Sequence, residues 1–129
     1  MQGSDVATLE KFVNLPYPPR AVRWETSTRP GGNDWSLAAL ITMTPEQVSA
    51  LLPAAPAGRA GGRVSTEHFQ KWFPPSMQAG HSSDGGWVEL GGVAAEAARF
   101  IAPQKSPLIH GDVLLFPADG LAYLTLYTM

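Results

Sequence analysis

Five polar side chains near the C terminus have types and spacings that could support chemistry: His110, Asp112, Tyr123, Thr125 and Tyr127. His110 and Asp112 are two residues apart, a spacing that puts both side chains on one side of a β-strand. A carboxylate can orient an imidazole for acid–base catalysis, and both groups can bind transition metals. One hypothesis is therefore a small hydrolase or metal-dependent enzyme with His110 and Asp112 as catalytic candidates. His81 and Asp84, in a polar and glycine-rich stretch, are the further candidate metal ligands.

A predicted β-hairpin over residues 107–129 would position these side chains. The segment Pro117-Ala118-Asp119-Gly120 is a turn sequence, and a four-residue loop sets the register of the strands on either side. The pairs expected on the polar side are His110 with Tyr127, Asp112 with Thr125, and Leu114 with Tyr123. The alternate positions are apolar and are predicted to point into a core: Val113, Leu115, Leu124 and Leu126.

The polar side of this hairpin has two further interpretations. Tyrosine-rich patches with few charges are typical of binding interfaces, which makes Tyr123, Thr125, Tyr127 and His110 candidate binding residues. The ordinary alternative is a solvated outer face whose threonines and tyrosines reflect β propensity alone. The preferred hypothesis is a non-enzymatic binding or interaction domain whose ligand, a protein or a small molecule, contacts this face.

Composition and motifs exclude several functional classes. Charged residues make up 16% of the chain, the net charge is −2, and no basic run is present, so nucleic-acid binding is not expected. The absence of cysteine excludes disulfides and a thiolate zinc site. No apolar stretch approaches the roughly 20 residues of a membrane-spanning helix. The sequence lacks a phosphate-binding glycine loop, a Gly-x-Ser-x-Gly segment and a His-Glu-x-x-His pair, so no cofactor is predicted.

The length of 129 residues predicts a single globular domain spanning residues 1–129. The sequence does not determine its oligomeric state. The location could be cytoplasmic, or periplasmic or secreted after removal of a signal peptide, since residues 1–3 could be a cloning remnant that replaces one.

Patterns in the first half of the chain predict two helices and one hairpin. Residues 4–14 form the first helix, with Ser4 as its N-cap, and residues 20–28 and 35–43 alternate as paired strands. Thr44, Pro45 and Gln47 form a capping box with proline at the first helical position, and the helix that follows stops at Pro53.

The second half is more irregular. Residues 54–62 are predicted to be a loop, Ser65 or Thr66 caps a third helix that ends at Phe73, and residues 76–86 form a second loop. Residues 87–90 indicate a short strand, while 91–103 could be helix or strand, with strand expected in the second half. The fold class is therefore α+β: a mostly antiparallel sheet of two hairpins with about four to six strands, and two or three helices packed on one face.

Overall fold

A curled antiparallel sheet of seven strands organises the molecule. The computed structural model describes residues 2–28, 35–52, 60–78 and 86–128; at residues 60–62 and 96 only the backbone is described. In chain order the strands are β1 (Gln2–Gly3), β2 (Ala21–Thr28), β3 (Trp35–Thr42), β4 (Ala60–Ser65), β5 (Trp87–Glu96), β6 (His110–Phe116) and β7 (Leu121–Tyr127). They are arranged side by side as β1-β2-β3-β7-β6-β5-β4. The final hairpin therefore lies in the middle of the sheet.

Four short α-helices accompany the sheet within the described residues. They are α1 (Val6–Leu9), α2 (Pro45–Ala50), α3 (Thr66–Trp72) and α4 (Pro75–Gln78), and a single 3-10 turn, Pro117–Asp119, joins β6 to β7. Because these helices are short, tertiary packing rather than intrinsic propensity stabilises them.

Two hydrophobic cores lie on opposite sides of the sheet. The larger core buries the alternate residues of β2, β3, β6 and β7 that begin with Val22, Leu37, Val113 and Ala122, together with Phe100 and Leu108 from the segment that precedes β6. The smaller core lies on the other side and contains Leu40, Leu114 and Tyr123 of the sheet with Phe69 and Phe73. The sheet is consequently buried over part of each face.

The helices are divided between these two cores. Leu9 of α1 and Val48 of α2 are buried in the larger core, whereas Phe69 of α3 is buried in the smaller one. The expectation that the helices pack on one face is therefore wrong, and seven strands exceed the expected number. The apolar run over residues 37–41 indicates that both sides of β3 are buried. Other elements must therefore pack against each side of the sheet.

The strongest local patterns in the sequence are confirmed. β2 and β3 pair antiparallel from Ala21 opposite Thr42 to Thr28 opposite Trp35. At the start of α2, the Thr44 hydroxyl accepts a hydrogen bond from Gln47 N–H, and the Gln47 side chain accepts one from Thr44 N–H, both at 3.2 Å. These signals depend only on neighbouring residues, which is why the sequence is sufficient to predict them.

Four segments differ from expectation. The first helix is shorter, with Asp5 rather than Ser4 as its N-cap. Residues 60–62 of the loop expected over 54–62 belong to strand β4, and residues 76–78 of the loop expected over 76–86 belong to α4. The parts of these expected loops at 54–59 and 79–85 lie outside the described residues. In the ambiguous stretch, β5 continues to Glu96 and turns follow at 98–100, so the strand occupies the first half rather than the second. Pairing of β5 with β4 and β6 overrides the helical propensity of its alanines.

No helix within the described ranges is long and apolar enough to cross a membrane.

Candidate functional site

The closing hairpin has the register expected from its turn. His110 pairs with Tyr127, Asp112 with Thr125, and Leu114 with Tyr123. Gly120 ends the turn at φ +67°, a left-handed conformation that favours glycine. Met43 N–H donates a 2.7 Å hydrogen bond to Gly120 O, which ties this turn to the end of β3. The apolar side of the hairpin lies in the larger core, as predicted.

The other side of the hairpin continues into β3 and β2 as one polar surface. In an antiparallel sheet, residues directly opposite one another point to the same side. One row across the strands is Glu25, Ala38, Thr125 and Asp112, and the next row is Ser27, Ser36, Tyr127 and His110. We call the seven polar members of these two rows the polar surface. It borders the smaller core, which begins with the row of Leu40 and Tyr123.

His110 and Asp112 are both exposed on this surface. The His110 ring stacks on the ring of Tyr127, with centroids 5.7 Å apart and an angle of 27° between the planes. Tyr127 is 39% exposed, which makes it one of the larger apolar surfaces open to solvent. The structure thus pairs His110 with an aromatic ring across the strands.

The remaining metal-ligand candidates cannot be placed in the same way. His81 and Asp84 lie outside the described residues. Within the described part of the chain, no group of three or more histidine, aspartate or glutamate side chains is arranged to hold a metal ion.

Tyr123 differs from the other members of the predicted polar face because it is buried, with 6% of its surface exposed. It belongs to the smaller core beneath α3, and its ring lies 5.9 Å from that of Phe73. The alternative of a solvated outer face therefore does not hold at this position. Helix α3 covers the row of Tyr123 and leaves the rows of Thr125 and Tyr127 open.

The Tyr123 hydroxyl takes part in a network that connects three elements. His68 of α3 lies between two partners: its Nδ1 is 2.9 Å from the Tyr123 hydroxyl, and its Nε2 is 2.9 Å from Oε2 of Glu25 on β2. A carboxylate only accepts, so Nε2 must carry the proton in the neutral ring. Nδ1 is then an acceptor, and the Tyr123 hydroxyl donates to it. The partners therefore assign the histidine tautomer.

Local sequence positions His68 for this role. Ser65 caps α3 by accepting a hydrogen bond from His68 N–H at 3.1 Å, and Phe69 anchors the helix in the smaller core. The His68 ring stacks on Trp72, four residues later, with centroids 4.1 Å apart and nearly parallel planes. This stack and the two hydrogen bonds restrict the orientation of the imidazole.

Sequence reasoning missed this network. It put Glu25 in the strand predicted over residues 20–28 and His68 in the third predicted helix, without linking them. The only local signal is the four-residue spacing of His68 and Trp72, which puts both on one side of a helix. The pairing of Glu25 with His68 spans 43 residues of sequence and depends on how α3 crosses the sheet.

Burial has a marked effect on the pKa of Tyr123. Removal from water raises the pKa of its hydroxyl to about 12, and interactions with the Thr125 side chain and the Ser65 backbone N–H offset part of the rise. Tyr123 is therefore neutral at physiological pH and acts as a hydrogen-bond donor, not as a nucleophile or base.

The network holds α3 on the sheet. Both ring nitrogens of His68 are engaged, and its tyrosine partner is buried and protonated, so the three side chains do not form an activated nucleophile. Instead they connect the covered rows of the sheet to the open polar surface through Glu25.

No family model, curated protein or solved structure shows a significant match to this chain.

Proposed function

We propose that this chain is a non-enzymatic binding domain whose ligand contacts the polar surface around His110 and Tyr127. The observation that supports this most directly is the stacked and exposed pair of His110 and Tyr127. Exposed aromatic side chains that are held rigidly contribute large contact areas at a low entropic cost, which makes them effective binding groups.

The neighbouring side chains supply hydrogen-bonding groups of both kinds. Thr125 and Asp112 lie beside the aromatic pair in the next row, and Glu25 lies at the far end of that row on β2. Between them is Ala38, which is partly buried and packs against the smaller core. Flat apolar contact combined with a few fixed polar groups is the usual composition of a recognition site.

The geometry favours binding over the hydrolase or metalloenzyme hypothesis for His110 and Asp112. The enzyme hypothesis for these two residues needs the Asp112 carboxylate within hydrogen-bonding distance of the His110 imidazole, in a concave site sheltered from water. Here His110 and Asp112 are exposed, and the contact that orients the His110 ring is the stack on Tyr127. A metal assay on the purified protein tests the alternative, because stoichiometric zinc or another transition metal would support it.

The test of the binding proposal compares Tyr127→Ala with the wild type, using a partner captured by pull-down or a bound compound found by NMR screening. We expect weaker binding with unchanged folding, since Tyr127 is largely exposed and its side chain supports no core. Trp87→Ala is the matched control, because Trp87 is 49% exposed but alternates with buried Val88 and therefore lies on the other side of the sheet. Equal binding by wild type and Tyr127→Ala would refute the proposal.

A further inference from the structure

Only one face of the Tyr127 ring is covered by its histidine neighbour. The rings of His110 and Tyr127 stack across β6 and β7, so the opposite face of the phenol ring is turned towards β3. The residue paired with Tyr127 on β3 is Ser36, whose side chain is too short to cover a phenol ring. Because Tyr127 is 39% exposed, a ligand can reach this second face.

The space beside this second face lies above two small residues. Ser36 on β3 and Ser27 on β2 continue the row of Tyr127, at one and two strand spacings, or about 5 and 10 Å from it. Ser36 is half-buried and Ser27 is exposed. A flat group in van der Waals contact with the Tyr127 ring, at about 3.5–4 Å, would therefore lie above Ser36. We call this space, beside Tyr127 and above Ser36 and Ser27, the serine slot.

Apart from His110, the charged members of the polar surface are both carboxylates. Glu25 and Asp112 lie in one row, on β2 and β6, and none of the seven members of the surface is a lysine or an arginine. Complementary charge across an interface favours the right partner and disfavours partners of like charge. The polar surface therefore favours a positively charged ligand.

Glu25 is the carboxylate nearest to the serine slot. It is diagonal to Ser36 across β2 and β3, about 7–8 Å away, a separation that long side chains span. Its Oε2 accepts a hydrogen bond from His68, and a carboxylate offers about four acceptor positions. Arg23, an exposed residue on the same strand, lies roughly 13 Å from Ser27 along β2. Glu25 therefore lies between the slot and this positive charge.

We propose that the serine slot binds the guanidinium group of an arginine side chain in a partner polypeptide. This inference rests on the proposed function and specifies the chemistry of its ligand. A guanidinium is planar, so it stacks on the second face of Tyr127, and its positive charge is attracted to the ring face and to the carboxylates. Its N–H groups only donate, which matches the acceptors that Glu25, Ser36 and Ser27 supply.

Other ligand classes fit the serine slot less well. A lysine ammonium group is compact and strongly hydrated and has no flat face to stack, while an uncharged ring stacks but gains nothing from the carboxylates. A free small molecule needs a concave pocket that buries most of its surface. The slot has the Tyr127 ring on one side and is open at exposed Ser27, so it suits a side chain that a larger partner holds in place.

The experiment titrates the full chain with capped tripeptides and follows binding by NMR. The probes are Gly-Arg-Gly, Gly-Lys-Gly and Gly-citrulline-Gly, in which citrulline is an uncharged isostere of arginine. We expect the arginine peptide to shift the Tyr127 ring signals and the Ser36 backbone N–H signal saturably, with a dissociation constant in the millimolar range. The lysine peptide is expected to bind several-fold more weakly, and the citrulline peptide is expected to leave these signals unchanged.

Two variants test the slot itself. Ser36→Leu fills the space above β3 and leaves the stacked pair in place, so the arginine peptide should bind about tenfold more weakly. Ser49→Leu is the matched control, because Ser49 is exposed on α2, which packs against the larger core on the other side of the sheet. Glu25→Gln keeps an acceptor for His68 but removes the charge, and it should weaken binding several-fold. It also replaces Ser36→Leu if that variant folds poorly.

Three results would overturn the guanidinium site: no shift at Tyr127 and Ser36 with the arginine peptide, equal binding of the lysine or citrulline peptide, or unchanged binding to Ser36→Leu and Glu25→Gln. A failure of the proposed function is a different result, since it is shown by a partner that binds Tyr127→Ala as well as the wild type. If that partner loses affinity for Tyr127→Ala while the arginine peptide does not bind, only the guanidinium site is refuted.

Discussion

His68 and Tyr123 are joined by a 2.9 Å hydrogen bond between the imidazole Nδ1 and the phenol oxygen, although 55 residues separate them in sequence. The bond connects a helix on one side of the sheet to its central hairpin. It marks the boundary between the covered rows and the open polar surface, and it makes the stability of α3 depend on a polar contact as well as on apolar packing.

Removing the Tyr123 hydroxyl should therefore destabilise the protein. In Tyr123→Phe, His68 Nδ1 loses its donor in a largely buried position, and we expect the free energy of unfolding to fall by about 1–3 kcal/mol. Urea denaturation measures the change. Tyr127→Phe is the matched control, since its ring is exposed and its loss should stay within about 0.5 kcal/mol. Equal effects in the two variants would contradict the role of this hydrogen bond.

Ionisation of Tyr123 should make the protein less stable in alkali. Because burial raises the pKa of Tyr123 from 10.0 to about 12, the folded protein keeps a proton that the unfolded chain has lost between these values. This contribution to stability is fully present below pH 10 and is lost as the pH rises through 12. The total change is roughly 2–3 kcal/mol, from two pH units at 1.36 kcal/mol each.

Urea denaturation at a series of pH values from 9 to about 11.5 would reveal this loss. Tyr123→Phe should remove that part of the pH dependence. When tyrosine ionisation is followed by absorbance at the phenolate band, the variant should lack the group that ionises at the highest pH in the wild type. A wild-type curve that coincides in shape with the Tyr123→Phe curve would argue against a buried, protonated phenol.

The pair of His68 and Glu25 should couple more strongly than an exposed ion pair on the same helix. Their side chains are 14% and 30% exposed, whereas Lys71 and Glu67 are closer, at 2.7 Å, but are both 60% exposed. A double-mutant cycle with alanine at His68 and Glu25 should give a coupling of about 1 kcal/mol or more. The cycle for Lys71 and Glu67 should give about 0.3–0.5 kcal/mol.

Distance alone would predict the opposite order of these two couplings. The reason for our order is solvent exposure, which weakens the exposed pair of Lys71 and Glu67 more than the largely buried hydrogen bond between His68 and Glu25. Measuring both cycles at low and high salt would separate the effect of distance from the effect of solvent exposure. A larger coupling for the exposed pair of Lys71 and Glu67 would refute the view that exposure decides the order.

The turn of the closing hairpin should tolerate no side chain at Gly120. Its φ of +67° strains other residues, and an added Cβ would lie 2.4 Å from the carbonyl oxygen of Met43. We expect Gly120→Ala to cost at least 1–2 kcal/mol, roughly the penalty for left-handed backbone alone. Gly91→Ala is the control, because a Cβ there meets nothing within 4 Å. Thermal unfolding of both variants tests the difference, and similar melting temperatures would contradict it.

Local patterns were sufficient to predict several parts of this protein. The capping box at Thr44 and Gln47 and the register set by the turn ending at Gly120 were correct because each depends on residues within a few positions of one another. Strand β4 and the extension of β5 to Glu96 were not foreseen, since glycine- and alanine-rich segments become strands only when neighbouring strands pair with them.

The amino-acid sequence by itself determined which side of the closing hairpin is apolar and which residues lie together on its polar side, because strand periodicity and turn length decide both. Only the tertiary structure decided which part of that polar side is covered. Helix α3 buries Tyr123 and brings His68 between it and Glu25, while His110, Asp112 and Tyr127 stay open. The path of a helix across a sheet depends on the packing of distant side chains, which no local pattern encodes.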